Sequence, residues 1–318
     1  MISTSTKQPT CLILDEMHES LAGLLSEAGY EPVFALTISR GELMKEIGHH
    51  QGIIVRSKLT LDRELIAAAS KLKFIARAGA GIDKIDQAAA ADYGIRILNA
   101  PEGNRDAVGE HAVGALLALL NKMHTSDLEV RNKQWRREAN RGTEIMGKTI
   151  GLIGYGHMAQ AFARRLTGFG VRILAYDKYK ENYGNEFAAA SSLEQLKKEA
   201  DIVSFHVPLT RETRELYDYA FFNEFAKPLV VVNTARGKVL KLADLITLMD
   251  EGKVWAAALD VLENEKPYSL QGEDLKVFNN LTGRDNILFT PHVGGWTHES
   301  YRKINEVLVS KIKALKTR

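Results

Sequence analysis

Short apolar runs recur along the chain, and the segments between them carry apolar residues at three- and four-residue spacing. In the first hundred residues the runs predict strands at Cys11–Asp15, Pro32–Leu36, Gly52–Arg56, Phe74–Ala78 and Ile95–Asn99. Helices are expected between them at His18–Ala28, Ser39–Ile47, Asp62–Ala69 and Ile82–Asp92. A second series gives six strands, at Thr149–Gly154, Arg172–Tyr176, Asp201–Val207, Leu229–Thr234, Val254–Asp260 and Asn286–Thr290. Such alternation marks parallel sheets covered by helices on both faces. The expected fold class is α/β, with two Rossmann-like parallel-sheet domains, the first of them flavodoxin-like.

A long helix rich in small residues is expected from Arg105 to Asn121, and a closing helix from Thr297 to Ala314. The basic stretch Arg131–Arg141, around Trp135, also carries Glu138 and reads as a solvated helix face or an arm. No tandem repeat or low-complexity tract interrupts the pattern.

At 318 residues the chain has room for two cores. The 42 basic and 40 acidic residues nearly cancel, so a nucleic-acid partner held on a broad basic face is not expected. Cys11 is the only cysteine and lies in an apolar run, which points to a buried thiol, no internal disulfide and a reducing compartment. The most apolar segment, AVGALLALL, is too short to span a bilayer. The opening MISTSTKQPT lacks the order of a signal peptide, so a cytoplasmic protein with no membrane partner is expected.

The second series opens on GLIGYGHMA, with Gly154, Gly156 and Ala159 at G-x-G-x-x-A spacing between an apolar strand and a helix. Gly154 suits the tight turn, Gly156 lets a pyrophosphate approach, and Ala159 is small enough for helix–strand packing. The anion would lie against the amides of His157 and Met158. Asp177 ends the next strand, where an acidic residue receives the adenosine ribose hydroxyls. The second unit is therefore expected to be an NAD-binding Rossmann domain. Lys178 and Lys180 suit a 2′-phosphate, which keeps NADP as the alternative to NAD.

Three polar residues follow apolar strands of this unit: Arg236 after LVVVNTA, Glu265 after VWAAALDV and His292 after NILFTP. Ligands bind beyond the carboxyl ends of such strands. Moving a hydride from an alcohol carbon needs a base for the hydroxyl proton, and histidine suits neutral pH. A neighbouring carboxylate stabilises the imidazolium and fixes the tautomer. An arginine grips a carboxylate through paired N–H donors and polarises the adjacent carbonyl.

The stretches RAGAGIDKID, NAPEGNRDAVGEHAVG, GTEIMGKTIGLIGYGHMA, SFHVPLT, VVNTARGKVL, AALDVLENEKP and TPHVGG together resemble the D-isomer-specific 2-hydroxyacid dehydrogenase family along essentially the whole chain. The resemblance is to its short D-3-phosphoglycerate dehydrogenases. It implies that Arg236 holds the substrate carboxylate, His292 is the acid/base and Glu265 its partner. The family commonly has Glu-Pro directly; here Lys266 intervenes, and counting from Asp260 keeps Glu265 at the family position.

The resemblance further implies a nicotinamide carboxamide at Asp260, with Thr234, Ala235 and Gly294 on that side of the pocket and His206, Pro208 and Thr213 towards the adenosine. It gives Ala78, Gly79, Ala80, Gly81 and Asn104 to the substrate, and Arg56 and Arg77, at the ends of two strands, to a substrate phosphate. It implies a discontinuous substrate-binding domain, 1–99 and 293–318, a nucleotide domain, 100–292, a cleft between them, and a homodimer built on the nucleotide domain and the arm around Trp135. No metal is expected. The substrate expected is D-3-phosphoglycerate, as in serine biosynthesis, with glyoxylate or hydroxypyruvate reduction as the alternative. The chain's end near residue 318 suggests no serine-sensing module. An NAD-sensing corepressor-like binding protein is the alternative of another class.

Overall fold

The computed structural model describes residues 8–316. Most of the opening MISTSTKQPT segment and the last two residues lie outside that range. The chain divides into two compact units, one running to Asn104 and resuming at Trp296, the other Arg105–Gly295. Both boundaries fall a few residues beyond 99/100 and 292/293. Gly103 is packed on Ile304, and Lys311 bonds Glu102, which binds the start of the Pro101–Leu120 helix to the first unit. The amides of Val293 and Gly294 bond Asp260, which holds that loop in the second.

The first unit holds strands β1 (Thr10–Ile13), β2 (Glu31–Phe34), β3 (Gly52–Val55), β4 (Phe74–Arg77) and β5 (Arg96–Asn99). They form one parallel sheet in the order β2-β1-β3-β4-β5, the flavodoxin-like arrangement. Successive residues of a strand face opposite sides. Leu12, Ile53, Val55 and Ile75 therefore enter one core, while Cys11, Ile13, Ile54 and Phe74 enter the other. The second core is closed by the C-terminal helix His298–Lys316 through Ile304, Leu308 and Ile312. Burial pushes the Cys11 thiol up, which keeps it protonated.

The expected Ile82–Asp92 helix is shorter, Gln87–Asp92. Its first part is drawn into backbone pairing, with Leu61 bridging Ile85, and Asp86 caps the helix by accepting from Ala89 N at 2.8 Å.

The second unit holds β6 (Thr149–Ile153), β7 (Arg172–Tyr176), β8 (Ala189–Ala190), β9 (Ile202–Phe205), β10 (Leu229–Asn233), β11 (Val254–Leu259) and β12 (Ile287–Phe289). Their order is β12-β11-β10-β9-β6-β7-β8, all parallel. β6 and β10 are buried at every position, as central strands of a doubly covered sheet must be. One strand more than the expected six is present; the edge pair Ala189–Ala190 is too short to show a pattern.

The Met123–Arg131 helix ends where the basic stretch begins, so residues 132–141 are an arm of turns and not a helix face. The order in which successive strands are added reverses between β6 and β9, the switch point beside which parallel sheets bind ligands. Because every strand is parallel, the segments after β6, β9, β10, β11 and β12 emerge along one edge.

Candidate active site

The chain leaves β10 at Asn233, whose buried side chain shapes the turn that follows. Its Nδ2 donates to Arg236 O at 3.0 Å, and its Oδ1 accepts from Ala235 N at 3.0 Å. Thr234, Ala235 and Arg236 are thereby held in one conformation. Arg236 Nη1 donates to Ala235 O at 2.7 Å. The next residue must be glycine: a Cβ on Gly237 would lie 1.9 Å from the backbone carbon of Leu262. That contact presses the Arg236 turn against the loop leaving β11.

This loop carries two glutamates with different work. Glu263 is half-buried and accepts from Leu242 N at 2.8 Å, at the start of the Leu242–Asp250 helix, and burial raises its carboxyl above the usual range. Glu265 points away and bonds His292 Nδ1 through Oε1 at 2.7 Å. The Lys266 departure leaves this pair intact: Lys266 N donates to Asn264 Oδ1 at 3.0 Å, which turns the chain after Glu265.

His292 follows β12 with φ of 56°, the left-handed region that side-chain-bearing residues enter at some cost and that contacts must hold. Asp260 supplies them. The carbonyl of Asp260 accepts from His292 N at 2.8 Å. Its carboxylate accepts from Val293 N, Gly294 N and the Thr290 hydroxyl at 2.9, 2.9 and 2.6 Å. Since the only hydroxyl proton of Thr290 is spent on Asp260, His111 Nε2 donates to Thr290 Oγ1 across their 3.0 Å contact. Three of roughly four acceptor sites on Asp260 are thus taken by the loop itself. Asn233, His111 and Thr290 are positioning residues that strand patterns did not single out. The only prior signal was the place of His111 in GEHAVG and of Thr290 before Pro291-His292.

The glycine-rich turn has the shape a dinucleotide requires. Gly154 has φ of 85°, and a Cβ there would lie 2.7 Å from His206 O. A Cβ on Gly156 would enter open space, and Gly156 brings no side-chain acceptor to the His157–Arg165 helix. His157 and Met158 open that helix, and Ala159, its third residue, is fully buried. Asp177 faces the turn, its Oδ2 accepting from Tyr155 N at 2.9 Å. Thr234 Oγ1 is buried without a hydrogen-bond partner, a polar atom awaiting one. These features fit a bound dinucleotide.

His206 follows β9, bonds Ser204 at 2.9 Å and packs near Phe162; desolvation holds its imidazole down to about 3, so the ring is neutral. Thr213 donates to Pro208 O at 2.6 Å, closing its own loop.

In the first unit, Arg56 follows β3. Its guanidinium lies 3.4 Å from the Trp296 ring centroid and 5.3 Å from that of Tyr301, and burial lowers its pKa. Asp15 is occupied with the backbone amides of Arg56, Ser57 and Lys58. Among the described residues no hydrogen-bond acceptor receives the Arg56 guanidinium. Arg77 folds over Gly79, where a Cβ would meet its Nη1 at 1.8 Å. In the same loop Ala78 N bonds Val55 O, and Asn99 donates to Ala80 O; Gly81 follows. Asn104 Oδ1 is buried without a partner.

Comparison with known proteins gives the family. Residues 113–294 match the profile described as D-isomer specific 2-hydroxyacid dehydrogenase, NAD binding domain. The chain is 36% identical to a hydroxypyruvate reductase of Thermotoga maritima over 275 residues, covering 86% of this chain and 88% of that one. It is 34% identical to a D-3-phosphoglycerate dehydrogenase of Methanocaldococcus jannaschii, covering 95% of this chain but only 56% of that longer protein. A crystal structure of the TT0316 protein from Thermus thermophilus superposes with a TM-score of 0.81 at 29% identity, covering 97% of each chain. The chain belongs to the D-isomer-specific 2-hydroxyacid dehydrogenases, a family of NAD-dependent oxidoreductases.

Proposed function

We propose that the chain interconverts a D-2-hydroxyacid and its 2-keto acid through Arg236, Glu265 and His292, with D-3-phosphoglycerate as the substrate. The observation that carries the reaction type is the Glu265–His292 bond at 2.7 Å. Glu265 receives the Nδ1 proton, which leaves Nε2 to take the hydroxyl proton during oxidation and return it during reduction. Arg236 holds the substrate carboxylate and polarises the neighbouring carbonyl. A bound nicotinamide would supply the hydride acceptor for the hydroxyl-bearing carbon. Gly154, Gly156, His157, Met158 and Asp177 hold the dinucleotide, with NAD preferred to NADP. Asp260 serves chiefly by fixing the His292 loop.

The phosphorylated substrate is supported by Arg56. A guanidinium stacked on indole keeps its in-plane donors available for an anion, and desolvation strengthens that attraction. Arg77, Ala78–Gly81 and Asn104 complete the substrate contacts. A second reading, hydroxypyruvate or glyoxylate reduction, is favoured by the similarity to the Thermotoga reductase over nearly the full length of both chains.

A panel of 3-phosphoglycerate, phosphohydroxypyruvate, hydroxypyruvate, glyoxylate and D-lactate separates the two. Arg56→Ala should lower kcat/KM for the phosphorylated pair by about ten- to a hundredfold and for glyoxylate by much less. Equal losses would remove the phosphate assignment. No turnover on any substrate would favour a corepressor-like binding role.

We also infer a homodimer formed through the 123–146 region. Trp135 and Met146 are 79% and 72% exposed there, beside exposed Met123, Leu128 and Val130.

A further inference from the structure

Asp177 presents a carboxylate where a dinucleotide ribose would lie, but the sequence at once adds Lys178 and Lys180, which argue for a 2′-phosphate. In the structure both lysines are engaged. Lys180 Nζ donates to Tyr155 O at 2.7 Å, in the glycine-rich turn itself. Lys178 forms an ion pair with Glu212, on the segment following β9, and the Tyr179 hydroxyl donates to the same carboxylate. Tyr179 also gives its amide to Asp177 Oδ1 at 3.1 Å. One residue therefore spans two carboxylates at this end of the site. Lys178, and after it Tyr179, hold the Glu212 carboxyl below the usual range, so it is ionised at neutral pH.

We propose that Glu212 is a specificity-determining residue for the cofactor, selecting NAD over NADP by neutralising Lys178 and adding a second negative charge beside Asp177. The role rests on the reading that the dinucleotide lies against Gly154, Gly156 and Asp177. A 2′-phosphate would have to part Lys178 from Glu212 and would then meet two carboxylates. The ribose hydroxyls of NAD need neither lysine.

The test is direct titration of purified protein with NADH and with NADPH, followed by fluorescence, for the wild type, Glu212→Gln and the double variant Glu212→Gln/Lys178→Met. Because the groups are exposed, the expected effect is modest and salt-sensitive. The ratio of the NADPH to the NADH dissociation constant should fall about three- to tenfold in Glu212→Gln. In the double variant it should return towards the wild-type ratio. An unchanged ratio in Glu212→Gln, or a gain that survives removal of Lys178, would overturn the role. A wild-type chain that binds neither cofactor would overturn the underlying site assignment and this role with it.

Discussion

His292 has to meet two requirements at once: an imidazole with a fixed tautomer, and a backbone turned out of the extended region. Glu265 supplies the first through the 2.7 Å bond to Nδ1, and Asp260 the second through the loop amides. Replacing His292 with Ala removes the proton acceptor and leaves the glycine-rich turn untouched. The variant should lose at least about a hundredfold in kcat while NADH binding, read by fluorescence titration, stays within a few fold. A near-normal kcat would take the acid/base role away from His292. At this scale the Glu265–His292 pair was legible in the sequence, as was the place of Arg236 after β10, because residue type and position after an apolar run are both local properties. Asn233, Thr290, His111 and Glu212 were not. Asn233 works on its own turn, through Ala235 and Arg236, and no strand pattern marks such an asparagine; the other three act through distant partners, as in the 3.0 Å bond between His111 and Thr290.

Strands were the most legible elements. β3, β6, β9 and β10 are buried throughout, so each appears as an unbroken apolar run. The Met123–Arg131 helix escaped notice for the opposite reason. Met123, Leu128 and Val130 are exposed and none of its residues is buried, so no apolar stripe faces a core. That same exposure supports the proposed dimer, since single exposed apolar residues are ordinary but a concentration of them along one segment calls for a partner. Trp135→Glu should convert the protein from dimer to monomer at micromolar concentration, as measured by light scattering after gel filtration. A monomeric wild type, or a dimer indifferent to the substitution, would remove the arm from the interface.

For the molecule as a whole, the sequence order of strands and helices foretold two parallel sheets, and the unit boundaries depended on side-chain ties that only the structure displays. Stability towards acid is also a property of the whole chain. His206 is neutral in the fold, with a pKa lowered from 6.5 to about 3 by burial. Below pH 6.5 the unfolded chain binds a proton that the folded chain refuses, so stability falls with pH until about 3. The loss approaches ~1.4 kcal/mol per pH unit inside that window and is absent above it. His206→Gln should therefore lose less stability than the wild type between pH 7.5 and 5 in urea unfolding, and parallel losses would show that His206 does not govern the slope.

The left-handed backbone of His292 bears on how such a sequence changes over generations. Glycine adopts that conformation without strain and histidine does not, so glycine at this position would relieve tension in the loop. On the proposed mechanism, turnover keeps an imidazole there. A lineage that ceased to need the reaction would be free to shed it, and the backbone would favour the exchange.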